Sequence, residues 1–171
     1  MKQKMIDFLL ENANPSIKLR VKKEILKNLT KEEETQLQEQ ILKEKIIRLI
    51  EEKQLANGWI GLGFHGSSKD AGQYDNQEVG AKYMGEKGLK GTGLLDRAMD
   101  AYVTTELTDK CYGTKGQYWS EFEVPAQGQN IIRCACIARA HYDDVIDISP
   151  QIKLSLESFQ RVTEGKEYNI L

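Results

Sequence analysis

The chain has 171 residues, 24 Lys+Arg against 26 Asp+Glu and a net charge of −2, a length that holds one hydrophobic core rather than two, so residues 1–171 are read as a single domain. The balanced charge lacks the clustered basic footprint of a nucleic-acid binder. No apolar run approaches the ~18 to 20 residues of a membrane span, and the first residues carry no sustained apolar signal segment, which predicts a soluble cytoplasmic protein with no membrane span.

In chain order, the segment through Phe8 and Leu10 is expected to be a helix covering the first hairpin. Asn14-Pro15, a cap residue followed by proline, opens a helix in which Ile17, Val21 and Ile25 recur at i, i+4 and i+8. Thr30-Lys-Glu-Glu33 has the form of a capping box. Behind it, Leu37, Ile41, Ile46, Leu49 and Ile50 mark one long helix or two abutting ones, ending near Leu55.

Gln54 to Ser68 reads QLANGWIGLGFHGSS, a glycine-rich loop. Its glycines do not form a phosphate cradle, because the G-x-x-x-x-G-K-[ST] pattern is missing. They are expected to serve positive-φ backbone or close approach to a helix. Asp75 or Asn76 then caps a helix through Val79, Tyr83 and Met84, with Gly88 as its C-terminal cap. Thr92 opens the next, where Leu95, Ala98, Met99, Tyr102 and Val103 draw one stripe.

Residues 108–128 form a second loop rich in glycine and aromatics, and a helix from Gln129 to His141 carries Ile131, Ile132, Ala135 and Ala138. Ser149-Pro150 starts the last helix, through Ile152, Leu156 and Phe159. No stretch sustains period-2 alternation, so the predicted class is all-α. Helices alternating with turns and two long loops predict stacked helical hairpins rather than a four-helix bundle.

The stretches NPSIKLRVKKEIL and IIRLIEEKQLANGWIG carry a resemblance. The first resembles the opening helix of bacterial proteins of the prenyltransferase and squalene-oxidase repeat superfamily, and also HEAT-type repeats. The second is similar to that superfamily's QW motif, with Gln54, Gly58 and Trp59 as its Gln, Gly and Trp. Here Gly58 and Trp59 adjoin where the motif has one residue between them, and Asn57 stands where Asp is common. The resemblance implies a partial α/α toroid or short superhelical repeat. A Gln amide at such a turn bonds exposed helix ends while the indole packs over it. A closed toroid has about six hairpins, so a chain with about seven helices implies an open array, either continued by further repeats or self-associating.

Three patterns bear on chemistry. Cys111, Cys134 and Cys136 read as reduced thiols, and Cys134, Cys136 and His141 lack the paired knuckles of structural zinc, so no metal or other cofactor is assigned. Asp143 to Asp147, DDVID, matches the DDxxD pattern by which isoprenoid synthases hold magnesium and diphosphate, yet it falls between two helices, where Asp serves as cap and loop residue. The second aspartate-rich run and the Asp-x-Asp-Asp proton donor of the cyclases are missing. His65 has the chemistry of a general base, with Ser67 or Ser68 beside it, but no G-x-S-x-G elbow surrounds either serine.

Trp59, Phe64, His65, Tyr74, Tyr118 and Trp119 form a candidate ligand site if the two aromatic loops emerge at one end, fitting a small apolar ligand or a peptide. The alternative is that these aromatics pack the loops onto the helices. The expected function is a helical-repeat binding or scaffold domain with no identifiable catalytic machinery. The rival is a prenyltransferase or terpenoid-cyclase-like enzyme with a loop-lined apolar cavity. Aspartates 143, 144 and 147 discriminate: converging on an apolar cavity they favour the enzyme, facing outward the module.

Overall fold

A computed structural model describes residues 2–61, 64, 74–104 and 125–165. Among them eight α-helices run in order: α1 (Lys2–Asn12), α2 (Pro15–Arg20), α3 (Lys31–Ile41), α4 (Lys45–Lys53), α5 (Gln77–Lys87), α6 (Gly93–Thr104), α7 (Pro125–Arg139) and α8 (Ser149–Glu164). A π-helical segment, Val21–Leu26, continues α2. The described residues contain no strand, only the isolated antiparallel bridges Gln54 to Ile60 and Gly61 to Asn76. The protein is all-α.

The helix boundaries follow from their sequence signals. Asn14 accepts from the Ile17 N–H at 3.1 Å with Pro15 in the first helical position. Thr30 and Glu33 exchange both bonds of a capping box, each 3.2 Å. Asn76 accepts from the Val79 N–H at 3.0 Å to start α5. Gly88, at φ +88°, ends it in a left-handed turn, with Leu89 N–H bonded to the Met84 carbonyl and Gly88 N–H to that of Gly85. The same pattern ends α7, where the left-handed position is held by His141 at φ +61°.

Of the two arrangements expected between Thr30 and Leu55, the structure has two abutting helices, parted by a tight turn in which Lys43 and Glu44 N–H bond the Gln40 and Ile41 carbonyls. One expectation needs correction. The Ile17, Val21, Ile25 stripe does not survive folding: Leu19 and Val21 are buried, while Ile17 is 41% and Ile25 53% exposed. Within α2 the buried side already runs through Leu19 rather than Ile17, and beyond it the π-helical turn, whose i→i+5 bonds change the advance per residue, rotates Ile25 off the α-helical stripe.

One contiguous apolar cluster draws on α2 to α7. Helix α6 contributes Leu95, Ala98, Met99 and Tyr102, and α4 contributes Ile47 and Ile50, all essentially inaccessible. Each such large side chain stabilises the fold by about 1.5 to 3 kcal/mol relative to exposure. Helix α5 meets the end of α7 nearly backbone to backbone, since a Cβ on Gly85 would lie 2.7 Å from the Ala140 Cα. Helix α8 differs from the rest: none of its residues is buried.

Candidate functional site

The start of the glycine-rich loop is held by glutamine amides. Gln54 Nε2 donates to the Gly58 carbonyl at 3.1 Å and to the Leu94 carbonyl, in the first turn of α6, at 2.9 Å. Its Oε1 accepts from Arg97 at 2.7 and 3.1 Å. Gln77, fully buried, accepts from the Ile60 N–H and donates to the Ala98 carbonyl, both at 2.8 Å. Gln38 bonds the Gly88 and Lys90 carbonyls, each at 2.9 Å. Sequence reasoning found the first of these amides and missed the other two, whose partners lie far along the chain.

Of the six aromatic-loop candidates, the structure brings Trp59 and Phe64 together in the core. Trp59 is 6% and Phe64 0% exposed, and their rings meet Tyr102 with centroids 5.9 to 6.0 Å apart. These two side chains pack the loop onto α6 and do not border an open groove. Tyr74 is half-buried against the Tyr83 ring at 4.6 Å. His65, Tyr118 and Trp119, with Ser67, Ser68 and Cys111, lie outside the described residues.

The Tyr102 hydroxyl is buried beside the Cys136 thiol, with no well-formed hydrogen bond among the described residues. Burial, with the neighbouring thiol adding to it, raises its pKa well above the usual phenol range. Burial likewise pushes the Cys136 thiol up to about 11, partly offset by Tyr102. Such a thiol is a core packer rather than a nucleophile at neutral pH. Among the described residues no three His, Cys, Asp or Glu side chains converge as metal ligands.

The DDVID aspartates are exposed. Asp144 pairs with Lys90 Nζ at 2.6 Å, and that hydrogen bond holds its carboxyl below the ordinary range. Asp147 accepts from the Ser149 N–H at 2.9 Å at the start of α8, and its hydrogen bonds to Ser149 lower it too. None of the three lines the grooves or the cleft described next.

A cleft of about 400 Å³ lies between the α2 region, the end of α5 and the end of α7, lined by Leu19, Gly85, Gly88 and His141 among charged neighbours. Its cations are already paired: Arg20 with Glu24, Lys23 with Glu34, Lys90 with Asp144 and Arg139 with Glu86. Two further concavities among the described residues are open grooves flanking the contact of α7 and α8, of about 290 and 260 Å³. Ile131, Ala135 and Ala138 from α7 face Ile152, Leu156 and Phe159 from α8 in the first. Ile131, Leu154, Phe159 and Val162 share the second. The linings also contain Ser155, Gln151 and Cys134, and among the described residues no charged one.

The apolar side chains at this face are left open. Ile131 and Ile152 are 50% exposed, Leu156 63% and Phe159 71%. Their period was legible in the sequence, but period alone reads as core; nothing local indicated that the face lacks a covering element. An all-α protein with an uncharged, uncovered apolar face on its last helix pair is the class that the fold and this site define. No family model, curated protein or solved structure matches the chain.

Proposed function

We propose that this protein is a helical binding or scaffold module that engages its partner through the α7–α8 grooves. The carrying observation is that, among the described residues, neither groove lining holds a charge in a chain that is 29% charged. Uncharged apolar concavities between helices fit a helix face that lays apolar side chains along them and keeps its charges clear of the groove. The glutamine amides that bond turns and helix ends, Gln54 among them, support a short array of helical hairpins of the partial α/α-toroid or HEAT-like kind.

The outward-facing Asp143, Asp144 and Asp147 support the module over a cyclase-like enzyme, because they do not converge on an apolar cavity. Titration of dilute protein with the apolar dye Nile red tests the reading. Binding by the wild type, lost in Leu156→Glu/Phe159→Glu with the melting temperature held, is expected. A face that takes up neither dye nor any protein partner, a second copy included, would sink it.

A further inference from the structure

We infer that the partner of the α7–α8 face is the same face of a second copy of this chain, in a closed two-fold dimer. This rests on the reading of that face as a docking surface. Three observations select the occupant. First, Lys153, Glu157, Arg161 and Glu164 sit at helical spacings that place them together on the side of α8 away from Ile152, Leu156 and Phe159. A partner helix with charges beside its apolar stripe would bury them unmatched. An anionic membrane would call for a Lys/Arg rim, and the groove linings have none.

Second, the identical face of another copy is uncharged by construction, and Ala135, Ala138 and Ser155 let helix backbones approach closely. The exposed apolar pair at the other terminus, Met5 and Phe8 on α1, lies among Lys4, Asp7 and Glu11 and so makes a poorer match. Pairing like with like closes the assembly at two copies, whereas joining the α8 face to α1 would propagate into a filament.

Third, the size is sufficient. A face ~24 Å long, the length of α8, and two helices or ~20 Å wide covers on the order of 500 Å² per copy, about 1,000 Å² in total, the lower bound of a specific interface. That predicts a weak dimer with a dissociation constant on the order of micromolar. Among the described residues α8 packs against α7, and its polar side chains bond only within the helix and its lead-in.

Sedimentation velocity of the full chain from about 1 to about 300 μM decides the matter. The wild type is expected to pass from monomer to dimer. Leu156→Glu/Phe159→Glu is expected to raise the dissociation constant at least ~100-fold with an unchanged far-UV spectrum, and Met5→Glu/Phe8→Glu to leave it in place. Should the double variant unfold, Phe159→Ser alone provides the same comparison. A dimer lost with the α1 substitutions but not the α8 ones, or species growing beyond two copies, overturns the inference. So does a wild-type monomer throughout the range. Nile red then separates the cases: dye bound at α7–α8 leaves the docking surface standing for another partner, and no dye binding removes both.

Discussion

The Gln77 amide and the Ala98 carbonyl are joined at 2.8 Å inside the core, while the same side chain accepts from the Ile60 N–H. One fully buried glutamine thus ties α5 to α6 and to the extended residues after Trp59. Gln77→Ala leaves the Ile60 N–H buried without its partner and opens a cavity, with an expected loss of about 2 to 4 kcal/mol. Urea unfolding monitored by circular dichroism measures it; a loss below ~0.5 kcal/mol would mean that water or a shifted backbone takes over the bonds.

Glycines in the same neighbourhood should separate by what surrounds them. Gly58 at φ +87° and Gly91 at φ +80° carry similar backbone strain for any other residue. A Cβ on Gly58 would stand 2.1 Å from the Arg97 carbonyl oxygen, whereas one on Gly91 meets nothing within 4 Å. Gly91→Ala is therefore expected to cost the left-handed penalty alone, about 1 kcal/mol. Gly58→Ala adds the displacement of α6 backbone and should cost at least twice as much. Equal melting-temperature shifts for the two would contradict the close approach.

Much of this architecture was legible because its causes are local. Asn14, Thr30, Asn76 and Gly88 act through bonds to residues three to five positions away, so their spacing announces them. Ile25 misled because a π-helical turn is set by packing and breaks the 3.6-residue period on which stripe reading depends. The α7–α8 face was hidden for a different reason. Ile152, Leu156 and Phe159 have the pattern of a core-facing helix, and only the positions of the other helices reveal that nothing covers them.

His141 occupies a left-handed position in a helix-ending turn built like that of Gly88. A non-glycine residue pays about 1 kcal/mol or more there. His141→Gly should raise stability by up to ~1 kcal/mol, after allowing for the greater freedom of glycine in the unfolded chain. A fall in melting temperature would show that Glu24, which lines the cleft beside it, and Asp144, outside the cleft, gain more from the imidazole than the turn loses.

Burial of the Cys136 thiol links stability to alkaline pH. Its folded pKa of about 11 lies above the unfolded value near 9, so the contribution is complete below pH ~9 and lost as pH rises towards 11. Cys134, less deeply placed and lining a groove, is raised by burial but stays accessible from one side. Iodoacetamide at pH 8 followed by peptide mapping is expected to modify Cys134 well before Cys136. Equal rates would show that α7 opens as easily as its exposed face reacts.

The Lys90–Asp144 pair makes the opposite prediction at acid pH. The hydrogen bond from Lys90 lowers the Asp144 pKa, so whatever the pair contributes is present above the unfolded carboxylate range, near pH 4, and is lost as pH falls through the lower folded value. Lys90→Gln should bring the Asp144 titration, followed by NMR, back up towards the ordinary aspartate range. Because Asp144 is exposed, neutral-pH stability should change little. If the titration stays low in the variant, the backbone hydrogen bond at Asp144 and then the nearby His141, rather than Lys90, hold this carboxyl down.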